Sequence, residues 1–338
     1  MKKYFLPLFF LPVLLFSGQF KYNFAYDWSM PHDAKMFDEM KKLGFNYYVT
    51  GETGAKLDET FTLAKERGFT VYLAMDFKAG GIFPDGSEQV ISAADTKNMI
   101  KIKMKKNKTV DQVGGEPLDP DTVDANDFVC FNREDALAAA KEKVKTLAAD
   151  MRSEGISFDW FGYKNYYACF CDVCVEKEAL YLKAHPELTA AEAQSKFSEE
   201  AMLNFLNAVI AEGKKARPGL KFACHVYPYF KPNPLFGNKL NMEYPQQTVS
   251  WFFLPHWDLA KVRAHTKIVV QDAKKYYKNG TGIPFLGIYA DSNKKSAARV
   301  AEEFKILKEE GAEGVAVASF GDILKDPEMI KVFEKELK

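Results

Sequence analysis

The chain is poor in the residues that mark most metal and redox enzymes: its 338 residues hold five histidines and five cysteines. Five histidines are too few for a His-rich metal protein, and no His-Glu-x-x-His motif is present to build a catalytic zinc centre. No Gly-x-Gly-x-x-Gly follows the first apolar run, so a dinucleotide fold loses its usual support. No Gly-x-Ser-x-Gly marks a serine nucleophile. Net charge is also missing, because Lys plus Arg and Asp plus Glu stand at 46 each. Such a surface offers no field to draw nucleic acid or an anionic membrane, and no nucleic-acid partner is expected. Nearly half of the chain is apolar, at 47%, which is enough for a large core.

Long apolar runs are scarce, and the clearest one lies at the N-terminus. Lys2-Lys3 precedes an apolar stretch from Tyr4 to Phe16, and the small pair Ser17-Gly18 follows. This has the form of a cleavable secretory signal over residues 1–19, too short to span a membrane stably. A lipoprotein box requires cysteine where Gln19 stands, so no stable membrane anchor is expected. A periplasmic or extracellular location is. Residues 20–338 then read as a single domain.

Strand-length apolar runs alternate with helical patterns along that domain. Strands are expected at 20–28, 45–50, 70–76, 157–162, 221–227, 248–253, 284–290 and 314–320. Helical spacing covers 33–43, 57–67, 134–154, 176–184, 190–217 and 327–337. Eight strands with helices between them predict an α/β fold of the (β/α)8 TIM-barrel type, with a long insertion at 78–129 after strand three. Within the insertion, residues 97–105 alternate apolar and basic side chains. That period of two predicts a half-buried strand in a hairpin over the barrel mouth.

Such barrels carry their functional groups at the C-terminal ends of the strands. Those ends hold Tyr26, Asp27 and Trp28; Gly51 and Glu52; Asp76; Asp159; His225, Tyr227 and Tyr229; Trp251, His256 and Trp257; Tyr289 and Asp291; and Phe320 with Asp322. Carboxylates and flat aromatic faces together suit a carbohydrate, since rings stack on sugars while carboxylates bind hydroxyls or move protons. Asp27, Trp28, Glu52, Tyr163, Asn165, His225, Tyr227, Trp251 and Tyr289 are the candidate contacts to an oligosaccharide or polysaccharide. Each also has a plain structural reading; Asp291, ahead of Ser292-Asn293, suits a helix N-cap.

Four of the five cysteines fall into a pattern, with Cys130 upstream of Cys169-Phe170-Cys171-Asp172-Val173-Cys174. Three thiolates within six residues and a fourth from a distance suit a closed tetrahedral shell. Zinc is its expected occupant, in a structural rather than a catalytic role. A disulfide and an iron–sulfur cluster are the alternatives. Cys224, in the run Phe222-Ala223-Cys224, reads as a packing residue.

The order Cys130-Phe131-Asn132, a helix, a strand bearing Asp159, then Cys169 to Cys174 resembles the zinc-binding segment of family 42 glycoside hydrolases and their barrel relatives. By that resemblance Cys130, Cys169, Cys171 and Cys174 are the zinc ligands. The resemblance implies retaining hydrolysis of galactosides, with an acid/base glutamate after strand four and a nucleophilic glutamate after strand seven. This chain departs from the pattern there: no glutamate lies between Glu154 and Glu176, and strand seven ends Tyr289-Ala290-Asp291. Asp159 and Asp291 are the substitutes, each one methylene shorter, which favours the wider spacing of an inverting pair. Trp160 and Phe161 are expected to give Asp159 an apolar environment suited to holding a proton. The alternative is a silent carbohydrate-binding barrel that has lost its acid pair.

Overall fold

The computed structural model describes residues 19–27, 30–78, 82, 99–103, 123–159, 161–164, 169, 171–226, 230–231, 235–251, 256–288 and 294–338. Residues 1–18 of the expected signal segment 1–19 lie outside them, and no described helix is long and apolar enough to cross a membrane.

Eight parallel strands close into a barrel. They are β1 (Tyr22–Ala25), β2 (Tyr47–Thr50), β3 (Thr70–Asp76), β6 (Gly155–Asp159), β8 (Lys221–Val226), β10 (Tyr244–Ser250), β11 (Ile283–Gly287) and β12 (Gly314–Ala318). Each is paired with its sequence neighbours in the barrel, and β12 closes on β1. Two short antiparallel pairs stand outside the cylinder: β4 (Met99–Lys103) with β5 (Val123–Val129), and β7 (Tyr163–Lys164) with β9 (Phe230–Lys231). Helices α1 (Ala34–Leu43), α2 (Gly54–Glu66), α3 (Glu134–Ala148), α4 (Asp172–Ala184), α5 (Ala190–Ala216), α6 (Leu259–Tyr276), α7 (Ala297–Glu309), α8 (Phe320–Ile323) and α9 (Pro327–Leu337) connect the strands and close the chain. The (β/α)8 expectation therefore holds.

Local chemistry explains several helix boundaries. Asp33 caps α1 by accepting a hydrogen bond from the Met36 N–H. Thr189 and Glu192 form a reciprocal capping box at the start of α5. Gly44 ends α1 at φ 97°, and a Cβ there would sit 2.9 Å from the Leu337 carbonyl oxygen, so both backbone hand and close approach demand glycine.

The structure departs from sequence expectation at a few boundaries. Strand β10 begins at Tyr244, four residues before the expected position, because Pro245, Gln246 and Gln247 hide it from an apolar-run reading. Strand β6 ends at Asp159 rather than continuing to Gly162. Helices α6 and α7 have no expected counterpart. In the insertion, the strand expected over 97–105 is found at Met99–Lys103 as β4, antiparallel to β5, while its half-burial and its place in a hairpin over the mouth lie outside what is described. The Val129 N–H donates to the Phe77 carbonyl at 2.9 Å, which ties β5 to the end of β3.

Strand alternation sorts side chains between two cores. Val71, Leu73 and Met75 of β3 pack outward against helices, as do Ile156 and Phe158 of β6 and Phe222, Cys224 and Val226 of β8. Phe24, Tyr26, Tyr72, Ala223, Tyr244 and Phe285 fill the lumen. At its N-terminal end Tyr22, Phe24, Tyr47, Tyr72 and Tyr244 form a continuous ring cluster with centroids 4.5 to 6.3 Å apart. Glycines make room for these rings: a Cβ on Gly155 would lie 2.4 Å from the Tyr72 ring, and one on Gly314 would lie 2.3 Å from the Tyr22 carbonyl oxygen.

Candidate functional site

Inward residues at the C-terminal ends of neighbouring strands define the mouth. Asp76 and Asp159 are register partners on β3 and β6, and Asp159 has the inward parity of Ser157 two residues before it. His225, inward on β8, lies with Nδ1 3.1 Å from Asp159 Oδ1. Its ring stacks on Phe285 at 3.9 Å and 17°, and faces Trp251 at 6.4 Å and 29°. The imidazole is only 3% exposed, so its orientation is set by two aromatic faces as well as by the carboxylate.

A second polar layer lies beneath that one. The Tyr26 hydroxyl donates to Gln246 Oε1 at 2.9 Å and lies 3.0 Å from Ser157 Oγ. Burial pushes the Tyr26 phenol well above its ordinary range, so it stays a neutral donor. Burial also raises the Asp76 carboxyl, with the Asp159 charge adding to the rise and the Lys78 N–H and the Lys78 and Lys143 charges opposing it.

Other strand-end candidates are placed differently. Asp27 is buried and accepts hydrogen bonds from the backbone N–H groups of Met30, at 2.7 Å, and Gly321, and from the Ser319 hydroxyl at 3.4 Å. It therefore ties the loop after β1 to the loop after β12. Glu52 lies beside His32, with Oε1 3.2 Å from Nδ1. Tyr163 stands apart from the lumen: its buried ring meets Phe131 edge-on at 5.4 Å, next to the cysteine cluster. Phe161 likewise turns outward against Phe77, Phe158 and Phe236, and does not supply the apolar lining expected for Asp159. Trp28, Asn165, Tyr227, Tyr289, Trp160 and Asp291 lie outside the described residues.

A charged cluster sits behind Trp251, where Lys295, immediately following the strand-seven loop, is fully buried with Glu303. Lys295 Nζ reaches Glu303 Oε2 at 3.1 Å and Ser250 Oγ at 2.7 Å. Ser250 in turn donates to Glu303 Oε1 at 2.6 Å, and Arg299 adds a second cation at 2.9 Å. This network fastens the chain after strand seven to the end of β10. No sequence pattern singles it out.

Cys130, Cys169, Cys171 and Cys174 are all buried, and their sulfurs lie within 4.8 Å of one another. Cys130 Sγ is 3.7 Å from Cys171 Sγ and 3.4 Å from Cys174 Sγ. None is in a disulfide. Four sulfurs at about 2.3 Å from one ion would have edges of about 3.8 Å, so the donor set fits a tetrahedral metal ion. Asn132 donates to Cys174 Sγ at 3.3 Å, which gives the Cys-x-Asn spacing its physical reason. Hydrogen bonds from the Cys130, Cys169 and Cys174 thiols hold Cys171 far below the ordinary thiol range, while burial drives Cys169 up. Cys224 is separate and fully buried, its thiol pushed up to about 12 by that burial.

No family model matches the chain, and no curated protein matches it in sequence. Its fold is similar to that of the β-galactosidase from Bacillus circulans sp. alkalophilus, with TM-score 0.60 and 13% identity over 94% of this chain and 56% of that one. It is also similar to a catalytic mutant of a GH42 β-galactosidase from G. stearothermophilus, with TM-score 0.60 and 10% identity over 95% and 57% of the two chains. The PgaB (BpsB) glycoside hydrolase domain from Bordetella bronchiseptica matches over 92% of this chain and 98% of its own, with TM-score 0.59 and 12% identity. The chain thus spans little more than half the length of these β-galactosidases. At such identities the likeness establishes the shared (β/α)8 fold.

Proposed function

We propose that this chain is a glycoside-hydrolase-like barrel acting on an oligosaccharide or polysaccharide outside the cytoplasm. Asp159 and Asp291 supply its acid/base chemistry, and a structural zinc fills the four-cysteine site. The observation that carries the reading is the Asp159–His225 pair, set at the strand ends in a lumen walled by Phe285 and Trp251. Similarity of fold to glycoside hydrolases supports it.

In this reading Asp159 faces the glycosidic bond and His225 fixes its rotamer through the Nδ1 contact. Trp251 offers a face on which a sugar ring stacks, and the same role is assigned to Trp28, Tyr227 and Tyr289. Asp27 acts indirectly, by holding two mouth loops together, and Tyr163 braces the cysteine loop. Glu52, beside His32, contributes hydrogen bonds to the sugar, and the same role is assigned to Asn165. Zinc, held by Cys130, Cys169, Cys171 and Cys174, supplies a cross-link between the segment after the insertion and the loop after β6. Four sulfur donors leave it no open position for chemistry.

One observation favours a second reading, a silent glycan-binding barrel. The family's strand-four glutamate is replaced by Asp159, whose shorter side chain is engaged by His225. The discriminating experiment screens glycans and aryl glycosides for reducing-end release by the wild type, Asp159→Asn and Asp291→Asn. Binding to the same glycans is measured in parallel. Turnover lost in both variants supports the hydrolase; binding without turnover selects the silent barrel; neither binding nor turnover removes the glycan assignment.

A further inference from the structure

Arg133 stands beside the four-cysteine cluster in a way that an ordinary surface ion pair does not explain. Its backbone N–H donates to the Cys130 carbonyl at 3.3 Å. Its guanidinium reaches across to Asp172, the residue after Cys171, and pairs with that carboxylate through Nη2. Asp172 is largely in solvent, with its side chain 79% exposed, whereas that of Arg133 is only 18% exposed. The Arg133 Nε is buried and has no hydrogen-bond partner among the described residues.

A cation held mostly out of water needs compensating negative charge, and one exposed carboxylate supplies little of it. The neighbouring sulfurs supply more. Burial works to lower the Arg133 guanidinium, yet the charges of Cys171, Asp172 and Cys130 together hold it above its ordinary range. The sulfurs have the converse need, because one zinc ion and four thiolates leave about two negative charges uncancelled in a buried pocket. Partial positive charges already meet them. Cys171 occupies the N-cap of α4 and Cys174 lies in its first turn, where the helix dipole favours negative charge. Asn132 donates to Cys174 Sγ, and Lys177 holds Asn132 through a bond from Nζ to its carbonyl at 3.2 Å. Arg133 adds a full positive charge to these partial ones.

We infer that Arg133 is a positioning residue for the metal site, whose charge offsets the loaded cysteine shell and strengthens its hold on zinc, while Asp172 draws part of that charge away. The inference rests on the structural zinc proposed above. It goes further by giving the two members of one ion pair opposite effects. Loading exchanges thiol protons for a single dication and so adds negative charge, which a neighbouring cation favours and a neighbouring anion opposes.

The test measures zinc affinity of the full chain, thiols reduced, by competition with the chromophoric chelator 4-(2-pyridylazo)resorcinol. Wild type, Arg133→Gln and Asp172→Asn are compared at one pH and one salt concentration. Arg133→Gln should bind zinc about 10- to 100-fold more weakly. Asp172→Asn should bind it at least as tightly as the wild type. Two residues that only braced the loop through their ion pair would weaken binding alike when either is removed, so parallel losses overturn the inference. An Arg133→Gln affinity equal to that of the wild type overturns it too. Should Arg133→Gln fail to fold, the exposed Asp172 decides: weaker binding by Asp172→Asn overturns the inference, and equal or tighter binding upholds it. A wild type that takes up no zinc sinks the zinc assignment and this inference with it. A zinc-bound wild type whose affinity is indifferent to Arg133→Gln sinks the inference alone.

Discussion

His225 Nδ1 sits 3.1 Å from Asp159 Oδ1, with the imidazole plane stacked 3.9 Å from the Phe285 ring. The carboxylate is thereby held by a group that cannot rotate away. If the mouth performs acid/base catalysis, Asp159→Asn should lower kcat by about 10²- to 10⁴-fold with the fold intact. His225→Gln, which removes the clamp but leaves the acid, should cost less. Steady-state rates on whichever glycan emerges from the screen check both, with circular dichroism as the control for folding.

The cysteine cluster predicts one zinc per chain in the purified protein, measured by elemental analysis. Cys130→Ser or Cys174→Ser should abolish that stoichiometry and lower unfolding free energy by more than about 4 kcal/mol, because metal-binding energy is folding energy. Cys224 should resist alkylation in the native protein at pH 8 even after chelation, given its burial and a thiol pushed up to about 12.

Lys295 and Glu303 are both fully buried, and Arg299 also pairs with Glu303, so removing the glutamate rather than the lysine leaves a buried charge without its counter-ion. Glu303→Leu should destabilise the barrel by about 3 to 5 kcal/mol in urea unfolding, whereas Lys295→Met, which leaves Glu303 paired with Arg299, should cost less.

Gly155→Ala would place a methyl group 2.3 Å from the Lys221 carbonyl oxygen and 2.4 Å from the Tyr72 ring. The backbone of β8 cannot yield without breaking its pairing with β6, so a loss of about 1 to 3 kcal/mol or more is expected. Thermal denaturation reads it directly.

The raised Asp76 carboxyl carries a pH signature. Because its folded-state pKa lies above that of the unfolded chain, its contribution to stability is fully present below the unfolded value and is lost as pH rises through the folded one. Asp76→Asn should therefore flatten the decline of stability over that interval. Denaturant midpoints for the two proteins across the pH range check the sign.

The barrel is legible in the sequence because its strands are buried on one or both faces and its helices end in Gly or polar caps. The closing helix 327–337 and strand 70–76 agree with expectation to the residue. Strand β10 is harder to place because its inward side chains serve hydrogen bonding: Gln246 accepts from Tyr26, so polarity there reflects the lumen and not a turn. Helices α6 and α7 escape because Lys and Arg interrupt their apolar stripes. The cysteine cluster is readable from spacing alone, since thiols have few other reasons to gather. His225 and Asp159 each stand out in the sequence, but their pairing depends on β6 and β8 being neighbours, a fact of topology. Tyr163 suits the lumen by its place in the chain, and only the turn at Gly162, with φ 111°, reveals that the chain has swung away.

The ring cluster of Tyr22, Phe24, Tyr47, Tyr72 and Tyr244 corks the far end of the cylinder. Any molecule that meets Asp159 therefore arrives from the C-terminal mouth, and none passes along the barrel axis.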